Sequence, residues 1–581
     1  DAEGLALEKD IVKVINGVGG TLLGPNNIGL INQDYTGVFT KPIPKLQAKG
    51  VDFISGSGAT AVFIIEAAMQ LGLPFSSIYT VGNSAQIGVE EVLEHFDESF
   101  ELGKSSPIKL LYIEAINNPQ KLLKHAQSLI KKGCKIAAIK AGSTDEGSRA
   151  ASSHTGALAN SDMAVNALFE KAGIVRCYGR HELIHVAAVF IYPPLRGKNM
   201  AIVTHAGGPA VMLTDVLSKN GLHIPKIKGK DADMLLTKLY DGASVSNPID
   251  FLATGTAEQL DVILNACETE FKDIDAVAVI FGSPGLTQVF DVYNVLDKHI
   301  KTSKKPIYPI LPSVVNVSAE IATFINKGHV IFTDEVSFGA ALTKVYNSHS
   351  QVNTSNKKNT LTKSAFKKYI NPLENGYLSP KDVHSVLNLA GILTNKELVV
   401  QTKLELLKAI NRIEFPLVLK VVGPIHKTDV NGVILNIDTL EMLNQSFERL
   451  MKIQDATGVL MQPMLKGTEL FIGVKKEGAF GHLILCGLGG IFVEILKDIS
   501  VGLAPIGDTE ALQMIKNLKA YPLLKGYRGK TGINLELFAA LISKVSQLVL
   551  TVPEITEIDI NPLMATGNQI IAVDARIRVE N

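Results

Sequence analysis

The chain has 581 residues, enough at about 100–200 residues per domain for roughly three to five domains. With 46% hydrophobic and 20% charged residues each domain can fill a core, and 57 Lys+Arg against 57 Asp+Glu excludes the basic footprint of a nucleic-acid-binding protein. Cys134, Cys177, Cys267 and Cys486 stand far apart without a CxxC pair, and no apolar run reaches the roughly 18–20 residues of a bilayer span; a cytoplasmic protein without zinc, disulfides or membrane contact is expected.

The chain opens at Asp1 without a methionine and enters a helical pattern from Gly4 to Val14, which reads as the middle of a longer natural protein. Apolar runs at 50–55, 108–113, 136–139, 201–204 and 276–281 alternate with longer helical patterns, as parallel α/β sheets require. The pattern restarts near 199 after Pro193-Pro194 and Gly197-Lys198, a boundary between two α/β domains. Asn347 to Asn359 (NSHSQVNTSNKKN) is polar and reads as a linker. Beyond about residue 360, helices mix with alternating strands, an α+β pattern.

Candidate chemistry begins at Ser55-Gly56-Ser57-Gly58, between a strand and a helix expected over 59–71. Small residues there leave backbone N–H groups for an anion at the helix N-terminus. Ala206-Gly207-Gly208-Pro209 repeats the arrangement. Glu114 ends the run 108–113, where open α/β sheets gather ligand groups, and its carboxylate suits one imidazole nitrogen. The small-residue segment Ala141 to Gly156 holds a single histidine, His154, before a helix that Ser161 or Asp162 can cap. Histidine is a competent phosphoryl acceptor. Against these stand plainer readings: tight structural βα turns, a capping glutamate and a surface loop with an incidental histidine.

Further on, Lys420 ends the apolar run 415–420, a point charge for nucleotide phosphates, and His426 lies in the polar stretch to Gly432; a surface hairpin is the alternative. The runs 557–562 and 571–578 read as strands of period 2. Glu557, Asp559 and Asn561 share one face, and Asp574, Arg576 and Arg578 share one on the second strand. A hairpin turn centred between Gly567 and Asn568 sets Asn561 opposite Asp574. Converging Asn and Asp oxygens suit Mg²⁺ that also binds nucleotide phosphates; a solvated sheet face is the alternative.

In this order the pieces resemble the NDP-forming acyl-CoA synthetases, relatives of succinyl-CoA synthetase, over nearly the whole chain. The most specific blocks are Ser152-Ser-His-Thr-Gly-Ala157, His426-Lys-Thr-Asp429, Gly487 to Asp498, and Asp559-Ile-Asn-Pro-Leu563 with Asp574. The resemblance implies an α/β multidomain fold: flavodoxin-like CoA-ligase domains plus a C-terminal ATP-grasp domain (α+β), with the tail of an N-terminal Rossmann-like CoA-binding domain. In this sequence residues 1–42 would be that tail, truncated, 43–196 and 197–346 the two CoA-ligase domains, 347–360 a linker and 361–581 the ATP-grasp domain. It implies His154 as the phosphorylated histidine, Glu114 as its orienting carboxylate, and helix N-termini at Ser55–Gly58 and Ala206–Gly208 as phosphate sites. His426 would carry phosphate toward the nucleotide, steadied by Asp559. Lys420 and Glu494 would meet the nucleotide, and Asn561 and Asp574 would hold Mg²⁺. The substrates implied are ATP/ADP, CoA, phosphate and acetate or a similar short acid, and the assembly a homo-oligomer, a dimer. The chain departs from the family at Gly56 (usually Gln), His205 (usually Asn) and Asn431 (usually Gly). The rival readings are a succinate–CoA ligase and, in another class, a non-catalytic CoA/nucleotide sensor or acyltransferase-linked regulator, which would be expected to lack the phosphohistidine.

Overall fold

The computed structural model describes residues 2–144, 146, 147, 149, 161–283, 286, 288–348, 361–367, 369, 370, 375–423, 431–490 and 497–580. Two compact units divide between Val352 and Asn353.

The first unit holds two sheets. Strands β1 (Gly29–Ile31), β2 (Thr36–Val38), β3 (Leu46–Ser55), β4 (Phe75–Thr80), β5 (Ile108–Ile113), β6 (Lys135–Lys140) and β7 (Val175–Cys177) form one, in the order β2-β1-β4-β3-β5-β6-β7. From β4 to β7 all neighbours are parallel, while β1 and β2 add an antiparallel edge. Val51 to Ser55 are all buried, as expected of a parallel strand covered on both faces. The helix Gly58–Gln70 buries Ala61, Ile64, Ile65 and Ala68 against the sheet. The five parallel strands run second, first, third, fourth, fifth in chain order. That is the flavodoxin-like arrangement, whose crevice opens between the carboxyl ends of the first and third strands, here β3 and β5.

The second sheet uses β8 (Met200–Thr204), β9 (Ile249–Asp250), β10 (Ala276–Ile280) and β11 (Ile307–Ile310), all parallel, in the order β11-β10-β8-β9. Its switch point lies between β8 and β10. The closing helix Glu335–Ser348 includes Asn347 and Ser348, which the composition placed in a linker. Asn347 donates its amide to Asn220 O at 3.1 Å and Ser348 its hydroxyl to Val345 O at 2.8 Å, contacts that composition does not show.

In the second unit, β12 (Gly376–Tyr377), β17 (Thr468–Glu477), β18 (Gly481–Leu488), β19 (Ile499–Leu503), β22 (Ile555–Thr566), β23 (Gln569–Ala572) and β24 (Ala575–Val579) make an antiparallel sheet. It packs on the helix Leu535–Thr551 through Phe538, Ile542, Val545 and Val549. A smaller antiparallel sheet has the order β13 (Leu398–Val400), β16 (Gly458–Pro463), β14 (Leu417–Val422), β15 (Val433–Ile437), with its own core. A minor hairpin pairs β20 (Gly526–Tyr527) with β21 (Lys530–Thr531). Among the described residues no helix is long and apolar enough to cross a membrane.

Candidate active site

The switch point of the first sheet is built from β3 outward. Ser55 Oγ donates to Ser57 O at 2.8 Å and accepts from Ser57 N at 3.2 Å, so a side chain stands in for backbone pairing and closes the turn. Ser57 caps the helix, accepting from Thr60 N at 3.4 Å. Gly56 N donates to Tyr112 O at 2.8 Å, and a Cβ placed at Gly56 would lie 3.6 Å from Glu114 Cγ. The turn and Glu114 thus adjoin across the crevice. The Tyr112 hydroxyl, its pKa raised by burial, bonds to Thr60 and ties β5 to the first helical turn. Next to this point Ala141 N donates to Ile113 O at 2.9 Å, where the chain leaves β6 toward His154. His154 itself, like His426 and Glu494, lies outside the described residues.

The second sheet repeats the turn. Thr204 Oγ1 donates to Ala206 O at 2.8 Å and accepts from Ala206 N at 3.0 Å, and the helix Gly207–Lys219 follows. Both Gly207 and Gly208 are exposed, and nothing lies within 4 Å of a Cβ at Gly208. His205 stacks on Phe281 at 4.6 Å between ring centroids, and burial lowers its pKa. Ser161 sits at the start of the helix Asp162–Ala172, but its side chain makes no capping bond.

In the second unit Lys420 lies within β14, opposite Leu460 of β16, rather than at the strand's end, because pairing continues through Val421 and Val422. Its buried ammonium donates to Asp574 Oδ2 and Val573 O, both at 3.3 Å, joining the small sheet to the large one. The β22–β23 register pairs Thr566 with Gln569, and Asn561 N donates to Asp574 O at 3.2 Å; this is the register of a turn centred between Gly567 and Asn568. Asn561 Oδ1 accepts from Gly490 N at 2.9 Å, and Asp574 Oδ1 from Ala575 N at 3.0 Å. Asp559, opposite Arg576, has its pKa raised by burial and by the neighbouring carboxylates of Asp574 and Glu557, against the pull of Arg576. An Asn amide and an Asp carboxylate beside a lysine fit Mg²⁺, which takes few protein ligands and completes its shell with water and phosphate oxygens.

Sequence reasoning passed over Gln462 on β16. It is 3% exposed, and its Nε2 donates to Glu397 Oε2 at 3.0 Å and to Val573 O at 3.1 Å. Both partners are acceptors, which fixes the amide's orientation and leaves Oε1 without a partner among the described residues. A lone polar residue in an apolar strand just before Pro463 was the available signal.

Residues 48–190 match the succinyl-CoA ligase like flavodoxin domain and residues 372–579 the ATP-grasp domain. The fold and these matches define an ATP-grasp ligase joined to a flavodoxin-like CoA-ligase module. The chain is 30% identical over 594 residues to acetate–CoA ligase [ADP-forming] I of Archaeoglobus fulgidus, covering 99% of this chain and 84% of that one. It is 29% identical over 606 residues to 4-hydroxybutyrate–CoA ligase [ADP-forming] of Nitrosopumilus maritimus, covering 99% and 85%. The dinucleotide forming acetyl-coenzyme A synthetase 1 of Ca. Korarchaeum cryptofilum, solved in complex with phosphate and ADP, superposes with a TM-score of 0.52 at 26% identity over 59% of this chain and 74% of that one. The chain belongs to the ADP-forming acyl-CoA synthetase family, the acid–CoA ligases that form ADP.

Proposed function

We propose that this chain interconverts a short acyl-CoA, ADP and phosphate with the free acid, CoA and ATP, acetate being the acid. A phosphate oxygen attacks the thioester carbonyl, the C–S bond breaks and CoA leaves as a thiolate that takes up a proton, giving an acyl phosphate. An imidazole nitrogen of His154 attacks phosphorus, the P–O bond breaks and the carboxylate departs. A β-phosphate oxygen of ADP then attacks phosphorus, the N–P bond breaks and ATP forms. Transfers of this kind require positioning and charge neutralisation more than covalent chemistry. Helix N-termini at Ser55–Gly58 and Gly207–Gly208 serve the acyl side, and Glu114 orients His154. Lys420, Glu494 and His426, steadied by Asp559, serve the nucleotide. Asn561 and Asp574 would hold Mg²⁺, which supplies charge neutralisation to the phosphates. In this reading residues 43–196 and 197–346 are the CoA-ligase domains and 361–581 the ATP-grasp domain.

The observation that carries the reading is the crevice where the Ser55–Gly58 turn meets Glu114, beside the exit of β6 toward His154. Acetate rests on the Archaeoglobus relative; the Nitrosopumilus relative places 4-hydroxybutyrate in the test panel. Incubation with γ-labelled ATP and Mg²⁺ is expected to give acid-labile, alkali-stable label that His154→Ala abolishes. Undiminished label in that variant would put the phosphoryl acceptor elsewhere. Release of CoA from acetyl-CoA, 4-hydroxybutyryl-CoA and succinyl-CoA, each with phosphate, Mg²⁺ and ADP or GDP, identifies the acid and the base.

A further inference from the structure

Two buried cations stand side by side where the histidine-bearing segment joins the first sheet. Lys140 is the last residue of β6 and is 5% exposed; Arg176, on β7, is 8% exposed. Ala138 pairs with Arg176, so by the two-residue period Arg176 and Lys140 lie on one face of the sheet. Buried charges are costly unless hydrogen-bonded and paired, so their placement calls for a reason. The Lys140 ammonium donates to Ala141 O at 2.5 Å, at the first residue of the segment. The Arg176 guanidinium donates to Asp162 O at 3.4 Å, to Asn166 Oδ1 at 3.3 Å and to the Asp162 carboxylate, at the start of the helix that ends the segment. Arg176 also stacks on Tyr178, its guanidinium carbon 5.0 Å from the ring centroid. Desolvation and the neighbouring Arg176 cation lower the Lys140 pKa against the opposing fields of Asp162 and Glu114, which puts both carboxylates within electrostatic reach of this lysine.

We infer that Lys140 and Arg176 are positioning residues that pin the two ends of the histidine-bearing segment to adjacent strands. The inference rests on the proposed role of His154. The first pinned end is also tied by Ala141 N to Ile113 O, one residue before Glu114, and Gly56 N is tied to Tyr112 O one residue earlier still. The first end is therefore set in the frame of the Ser55–Gly58 turn and Glu114, and the second is held to β7, the strand beside β6. Loss of a pin is expected to loosen the anchored ends of the segment and slow the acyl-side step, whereas the nucleotide site of the second unit keeps its own frame. Displacement by about 1 Å costs on the order of 100-fold in a positioned reaction.

The test measures the two half-reactions separately in the full chain. His154 is labelled from acetyl-CoA and labelled phosphate in one arm, and from γ-labelled ATP and Mg²⁺ in the other. Arg176→Met and Lys140→Met are expected to slow the acyl-side rate about 100-fold, at least ten times more than the ATP-side rate, with KM for acetyl-CoA and phosphate unchanged. Arg176→Lys, which keeps one donor and the charge, is expected to recover part of the acyl-side rate. Equal slowing of both arms, or a loss that tracks a fall in Tm, would make these residues merely structural and overturn the inference; unchanged rates would overturn it as well. Absence of label at His154 in the wild-type protein would instead count against the proposed function, so the two failures are distinguishable.

Discussion

Asp559 keeps a carboxylate where its surroundings oppose charge. Burial raises its pKa, and Asp574 and Glu557 add to the effect, with Arg576 pulling the other way. A carboxyl whose folded pKa lies above its unfolded value supports the fold below the unfolded pKa and loses that support as pH rises through the folded one. At neutral pH the group is therefore a net cost, of the kind that catalytic sites retain. Asp559→Asn is expected to raise Tm by a few degrees at pH 7, with the gain shrinking as pH falls through the carboxylate range. The same variant is expected to lower the overall rate on the order of 100-fold. A lower Tm at pH 7, read by calorimetry, would mean that the pair with Arg576 outweighs the cost of burial.

The two βα turns show how an element presents backbone N–H groups that a side-chain inventory does not reveal. In each, the last strand residue, Ser55 or Thr204, folds its hydroxyl back onto the second residue of the turn. The first N–H groups of the following 13-residue helices have no partner inside the helix. At Gly208 a methyl group meets nothing within 4 Å, so Gly208→Ala is expected to leave Tm unchanged. If an anion approaches that backbone closely, the same methyl is expected to raise KM for phosphate or acyl-CoA about tenfold, about 1.4 kcal/mol of binding. Unchanged steady-state constants would remove the second helix from the site. These turns were legible in the sequence because small residues followed a continuous apolar run, and the β22 hairpin because its turn and alternation agreed. What stayed hidden depends on distant pairing. From sequence Lys420 reads as a strand end, because nothing local shows that Val421 and Val422 remain paired with β16. The Lys420–Asp574 bond and the Gly490–Asn561 bond join segments far apart in the chain, and Gln462 is notable only once its amide is seen to face two acceptors.

At the scale of the molecule, the crevice proposed for the acyl side belongs to the unit ending at Val352, and Lys420, Asn561 and Asp574 to the unit beginning at Asn353. Each unit has its own hydrophobic core. One polypeptide carrying both halves sets their ratio at one to one and makes the encounter between them intramolecular. A short tether holds its two ends at an effective concentration on the order of millimolar, far above that of an enzyme in a dilute assay. The passage of phosphoryl from one half to the other should accordingly be indifferent to dilution. A protease site inserted between Val352 and Asn353 tests this. After cleavage, the overall rate per enzyme is expected to fall as the protein is diluted, while acyl-side labelling of His154 and binding of Mg·ADP stay constant. A cleaved enzyme whose overall rate ignores dilution would show that the halves hold together without the peptide link, and that the continuity of the chain serves stoichiometry alone.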